Sequence, residues 1–186
     1  MTGSASVQSR ETGWPAAAIL TVGHSTLSLQ DFTALLDGYG VRRLVDVRTI
    51  PRSRHNPQFN ADVLAQQLPA AGIDYRQMPA LGGLRHSRKD SPNTGWRNQS
   101  FRGYADYMQT EQFQQALAEL VEGSRAGRTA IMCAEALPWR CHRSLIADAL
   151  YVRGIPAVEI LSRTGWRVHE LTAFARVDGI ALTYPP

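Results

Sequence analysis

"AIMCAEALPWRCHRSLIADALYVRGIPAVEIL" (residues 130–161) decides the fold. An apolar run ends in Cys133, and a loop dense in reactive side chains follows. The helical segment "HRSLIADALYVRG" comes next, and a second apolar run, "IPAVEIL", closes the stretch. Short apolar runs bounded by turn residues read as buried strands, so this is a strand–helix–strand unit.

The same alternation continues outward. "AAAILTVGHS" (residues 16–25) is a buried strand stopped by Gly23, "VRRLVDVR" a second that ends in charge, and "IDYRQMP" a third. Between the first two, "SLQDFTALLDGYG" sets Leu29, Phe32, Leu35 and Leu36 on one helical face. Ser28 is its expected N-cap, with Asp31 three residues on and Gly38 or Gly40 as its stop. "NADVLAQQLPAAG" reads as another capped helix. "GYADYMQTEQFQQALAELVEGSR" reads as helical with a break near Thr110. Residues 80–102 have no periodicity and form a long polar loop, a feature that in compact domains is functional or disordered. The tail from Gly165 is read as a short helix followed by a hairpin. The predicted class is α/β: an open, mostly parallel sheet with helices on both faces, three layers in all. Residues 1–17 are expected to be a disordered lead-in, and residues 18–186 a single α/β domain.

Composition narrows the function classes. Of the 186 residues 44% are hydrophobic, enough for a sizeable core without staples. No apolar run reaches the length of a membrane helix, mean hydropathy is −0.25, and the N-terminus lacks the apolar segment of a signal peptide. Two cysteines cannot make a secreted disulfide framework, so a cytoplasmic location is expected. Lys and Arg total 20 against 16 acids, a net charge of +4, and Lys89 is the only lysine. Arginine's planar fork suits phosphate, carboxylate and nucleobase edges. An anionic partner fits that excess, although an arginine bias also arises without function.

Three charged clusters each follow a predicted strand: "GHS" (residues 23–25), "DVRTIPRSR" (residues 46–54) and "CAEALPWRCHR" (residues 133–143). In open α/β sheets ligands bind beyond the carboxyl ends of the strands, so the clusters should converge on one edge. Cys133 would face amides of the next helix and nearby arginines, conditions that favour thiolate, though a free cysteine also simply packs. Asp46 is a base, a ligand, or the salt-bridge partner of Arg48. His24, His142 and Glu135 are acid/base candidates. Arg48, Arg52, Arg140 and Arg143 form a candidate anion clamp, and Arg85 of the "LGGLR" turn joins them. Seven residues separate Cys133 from Cys141, against the C-x₂₋₄-C spacing of structural zinc and the C-x-x-C of redox pairs, so neither a metal nor a cofactor is assigned. Trp96, Phe101, Tyr104 and Tyr107 lie among arginines. They could stack nucleobases, or, for the two tyrosines at helical spacing, build core.

In order along the chain, "TVGHS", "DVRTIPRS", "LGGLR", "FRGYADYM" and "MCAEALPWRCHRSLIA" closely resemble the signature of the domain of unknown function 488 family. The resemblance runs from about Ile19 to the C-terminus. It implies the α/β fold and marks the same residues, but supplies no reaction. A second resemblance is to the layout of rhodaneses and Cys-based phosphatases, in "LVDVR" and then strand–Cys–loop–Arg–helix. It implies a covalent cysteine in an anion cradle. This chain departs from both: six residues separate Cys133 from Arg140, and no glycine lies between Cys133 and Arg143.

The expectation is therefore an enzyme, a Cys-dependent transferase or hydrolase, acting on a small or nucleotide-like anionic substrate. The alternative is a nucleic-acid-binding or regulatory module that uses the basic loop, and a metal-binding protein is third. Membrane partners are not expected, and the sequence leaves the oligomeric state open.

Overall fold

In β1 (Ile19–Gly23) successive side chains part to opposite faces, Ile19 entering one apolar core and Leu20 and Val22 the other. β2 (Arg43–Asp46) and β4 (Thr129–Cys133) divide in the same way, with Val45 and Ile131 on the first face and Leu44, Ala130 and Met132 on the second. A strand apolar on both sides needs helices on both sides, and the computed structural model, which describes residues 13–186, supplies them. α1 (Leu29–Gly38) and α2 (Ala61–Gln67) cover one face; α3 (Gln99–Tyr107), α4 (Glu111–Ser124) and α5 (Arg143–Tyr151) cover the other. The class is the predicted three-layer α/β.

Six strands form the sheet in the order β3-β2-β4-β1-β5-β6, with β3 (Asp74–Gln77), β5 (Ala157–Ile160) and β6 (Trp166–Val168) completing it. The first five are parallel, and β6 returns antiparallel to β5. A separate hairpin joins β7 (Arg176–Asp178) to β8 (Ala181–Thr183).

Local signals explain most boundaries. Ser28 caps α1 by accepting from the Asp31 N–H, and Thr110 caps α4 after the expected break. α2 is shorter than its pattern, because Pro69 tightens the last turn into a 3-10 helix that ends at Gly72 in the left-handed region. Its capping residue Asn60 spends its side-chain oxygen on the Ser53 N–H, in the loop after β2. α3 begins at Gln99, inside the stretch expected to be loop, because Asn98 caps it. The tail corrects the expectation of a short helix: Trp166–Val168 is a strand, since only an extended segment can pair with the open edge of β5. The hairpin after it is as expected.

Of the expected lead-in, residues 1–12 lie outside the described residues. Trp14 is already packed on the domain, stacked on Tyr39 at 5.5 Å and edge-on to Trp166 at 5.0 Å. No helix among the described residues is long and apolar enough to cross a membrane.

Candidate active site

β1 and β4 are neighbours, yet the chain leaves them toward opposite faces: β1 leads into α1 and β4 into α5. Such a divergence opens a crevice beyond the carboxyl ends of the two strands. Here it is a cleft of about 810 Å³, lined by His24, Arg48, Arg52, Cys133, Glu135, Arg140, Cys141 and His142, with Phe101 and Leu84 on the far wall. The three charged clusters reach one sheet edge, because Gly23 pairs with Cys133 and Asp46 with Met132 in parallel register.

The crossing of the first and third clusters is tight. His24 N–H donates to Cys133 O at 3.0 Å and Ser25 N–H to Ala134 O at 2.9 Å, carrying the ladder past the end of the sheet. A Cβ on Gly23 would lie 1.9 Å from Glu135 O, so only glycine lets the two loops meet. Ser25 follows at φ 48°, the only non-glycine among the described residues in the left-handed region.

At the floor of the cleft, Cys133, Cys141 and His142 place their sulfur and ring-nitrogen atoms within 4.8 Å of one another. The seven residues between the two thiols do not keep them apart in space. The loop turns through a 3-10 helix at Pro138–Arg140, which folds Cys141 back toward Cys133 across the seven intervening residues. His142 Nε2 lies 3.0 Å from Val47 O, a pure acceptor, so Nε2 carries the proton and Nδ1 faces Cys141 Sγ at 3.6 Å. Arg143 Nε donates to the same sulfur at 3.4 Å. The hydrogen bond from the Cys133 thiol and the charge of Arg143 hold the Cys141 thiol well below its usual range, against the opposing effect of burial. The shared hydrogen bond to Cys141 and burial push Cys133 up. Of the two sulfurs Cys141 is thus the one held toward the charged form, where the sequence reading favours Cys133 over Cys141. Cys133 is the more accessible of the two.

Asp46 does not line the cleft. It is buried and accepts from Arg48 Nε at 2.8 Å, Arg48 Nη2 at 2.6 Å, the Arg48 backbone N–H and the Tyr75 hydroxyl, so of the alternatives of the sequence reading it is the salt-bridge partner of Arg48. Arg48 also donates to Phe59 O and, at 3.3 Å, faces His24 Nε2, so one N–H remains to it. His24 stacks on Phe59 at 4.0 Å, and its Nδ1–H donates to Ser25 O. Burial, with Arg48 adding to it, lowers its pKa to about 4, so at neutral pH it is an uncharged acceptor that seats Arg48.

Two arginines expected in the clamp are elsewhere. Arg143 is wholly buried and donates to Thr21 Oγ1 and to Glu135 O, fastening the loop to β1. Arg85 lies over the Tyr107 ring at 3.6 Å and donates to Gly82 O, outside the cleft. Arg52 and Arg140 are exposed on the cleft and form no ion pair with another described residue. Glu135 lines the cleft beside them, one oxygen accepting from Leu137 N–H at 3.3 Å.

The polar loop of residues 80–102 is ordered by Asp106, which accepts from Arg88 N–H, the Ser91 hydroxyl and the Asn93 amide. Trp96 packs against Phe101, Phe174 and Tyr184, and Tyr104 is core. The rings pack largely on one another, and of Trp96, Phe101, Tyr104 and Tyr107 only Phe101 also lines the cleft.

Sequence reasoning marks Gly83 of the "LGGLR" turn as a place of close backbone approach or a plain turn, and misses the Val47 carbonyl. A Cβ on Gly83 would meet His142 Nδ1 at 2.5 Å, so this glycine makes room for the ring. The "LGGLR" turn was a visible signal for it; the carbonyl, a backbone group, had none.

The family model described as Domain of unknown function DUF488 matches residues 28–150, more than half of the chain. The match takes in the "DVRTIPRS", "LGGLR", "FRGYADYM" and "CAEALPWRCHR" stretches and begins after His24. No curated protein and no solved structure matches the chain. The layout likeness to rhodaneses and Cys-based phosphatases has no support in these comparisons. By that match, the chain belongs to the domain of unknown function DUF488 family.

Proposed function

We propose that the cleft is the active site of an enzyme for a small or nucleotide-like anionic substrate. The observation that carries this reading is the Cys133–Cys141–His142 cluster on the floor of a concave cleft whose rim holds the two uncommitted arginines. Arg52 and Arg140 take the anionic group, and charge-assisted hydrogen bonds from two forks fix its orientation. The reacting centre then lies over the sulfur–imidazole cluster. The Asp46–Arg48–His24 chain holds the cleft wall in place. Glu135, the one acid on the cleft, moves the proton. Reactive groups gathered at a topological switch point support an enzyme over a binding module.

Thermal shift of the full chain against inorganic phosphate, sulfate, carboxylates and nucleoside monophosphates tests it. At least one anion class should raise Tm saturably, and Arg52→Ala with Arg140→Ala should abolish the rise. No shift with any anion, or an undiminished shift in the double variant, sinks the reading.

A further inference from the structure

We infer that Cys133, Cys141 and His142 are the protein ligands of one thiophilic divalent cation, Zn²⁺ by its chemistry, with the fourth position open to the cleft. The inference deepens the proposed function and rests on its reading of the cleft as an active site.

Four observations support it. Zinc–sulfur and zinc–nitrogen bonds of about 2.3 and 2.0 Å meeting at a tetrahedral angle put sulfur and nitrogen about 3.5 Å apart. Cys141 Sγ and His142 Nδ1 are 3.6 Å apart, and the Cys133 sulfur completes the triangle within 4.8 Å. That separation suits two ligands of one ion.

The histidine is already in the tautomer a metal needs. Its Nε2–H is committed to the Val47 carbonyl, so the bare Nδ1 points at the sulfurs. A ligating imidazole almost always donates its other N–H to a carbonyl or carboxylate in this way. The Cys141 sulfur, in turn, receives the Arg143 N–H, and that guanidinium has no exposed surface.

Gly83 is the third observation. A side chain there would collide with Nδ1 itself, the atom that would hold the ion, and the missing Cβ leaves that approach clear. The fourth is the donor set. Two thiolates and an imidazole select zinc over magnesium, calcium or manganese, which prefer oxygen. Three protein ligands with an open position is the pattern of catalytic rather than structural zinc. All three ligands line the cleft, so the open position faces the place where Arg52 and Arg140 would hold an anion. Binding leaves both sulfurs as thiolates, and any thiol proton they carry goes to solvent.

The test uses the full chain, expressed with zinc and purified without chelator. Elemental analysis should find near one zinc per chain. Protein stripped of metal should take up one Zn²⁺ in competition with a chromophoric chelator. Cobalt substitution should give a near-ultraviolet sulfur-to-metal charge-transfer band together with the intense visible bands of a four-coordinate ion. Cys133→Ser and His142→Ala should each weaken Zn²⁺ at least tenfold. Cys133 is half-buried and less enclosed than Cys141, so its variant should keep the wild-type circular dichroism and melt even where Cys141→Ser does not fold. Wild-type protein that captures neither ion, a cobalt complex without the sulfur band, or unchanged affinity in Cys133→Ser overturns the inference. Anion-induced stabilisation in the metal-free protein is read separately. If it persists while metal binding fails, the proposed function stands and this inference alone falls.

Discussion

His142 Nε2 lies 3.0 Å from the carbonyl oxygen of Val47, tying the start of α5 to the chain leaving β2. One hydrogen bond thus fixes a ring at the end of the loop after β4 from the segment just past β2, one cluster earlier in the sequence. The ring's other side is set by the absence of a side chain at Gly83. Gly83→Ala places a methyl 2.5 Å from Nδ1, and the ring must swing off Val47. The expected outcome is a folded protein destabilised by about 1–3 kcal/mol, as for other overpacked sites. Its His142 resonance should lose the signature of an Nε2–H hydrogen bond. Unchanged stability together with an unchanged resonance would show that the ring has room to spare.

Gly23 and Gly38 give a paired prediction. A Cβ at Gly23 would sit 1.9 Å from Glu135 O and 2.8 Å from Ala136 Cα, both backbone atoms that side-chain repacking cannot move. Gly23→Ala should cost at least the upper end of the about 1–3 kcal/mol of ordinary overpacking and should disturb the cysteine loop first. Gly38, at the end of α1, has nothing within 4 Å of its Cβ position. Gly38→Ala should therefore stabilise by up to about 1 kcal/mol through helix propensity. Urea melts of the two variants should move in opposite directions; the same sign for both would refute the account.

The contrast between these glycines shows what a sequence carries. Both are visible as stops to apolar segments, and both do end an element. Nothing in the string distinguishes the one under a crossing loop from the one facing solvent, because the crossing is made by residues over a hundred positions away. Alternation of apolar runs and helical faces did convey the fold, since the central strands β1, β2, β4 and β5 bury both faces and the helices between strands cover them. It also conveyed the convergence of the clusters on one sheet edge, which follows from parallel strands alone. Roles within the edge were not legible. Asp46, Arg48 and Arg143 look like catalytic or clamping groups in sequence and are spent on one another or on backbone carbonyls. The pairing of Cys133 with Cys141 was hidden by a 3-10 turn that spacing rules do not anticipate. The strand Trp166–Val168 was misread because its partner edge, not its own pattern, makes it extended.

Asp46→Asn tests the buried ion pair. The carboxylate accepts two Arg48 N–H groups and a tyrosine hydroxyl with no exposure to water. Asparagine keeps the shape and removes the charge, leaving a guanidinium that is 7% exposed without its counter-ion. Breaking a buried pair from one side costs about 3–5 kcal/mol. The variant should unfold at markedly lower denaturant, and Arg48→Ala in the same background should recover part of the loss. A cost under about 1 kcal/mol would mean that the pair behaves as a surface salt bridge.

Two buried histidines set opposite limbs of the stability profile. His24, with a pKa of about 4, binds its proton less readily in the folded chain than the ordinary imidazole at 6.5. Its contribution is complete above pH 6.5 and is lost as pH falls through 4. His169 is the reverse. Burial disfavours its charge, but Asp148 Oδ1 at 2.8 Å and Glu159 Oε1 at 2.9 Å override it and raise the pKa to about 9. Those acids are themselves held by the Tyr184 hydroxyl and by Arg167. The His169 contribution is complete below pH 6.5 and is lost as pH rises through 9. Between these two groups stability should peak near pH 6.5 and fall on both sides. At pH 7, NMR of the imidazole carbons should show His169 protonated on both nitrogens and His24 neutral with its proton on Nδ1. His24→Gln should flatten the acid limb and leave the alkaline limb unchanged. A neutral His169 at pH 7, or an acid limb undiminished in His24→Gln, would refute the assignment.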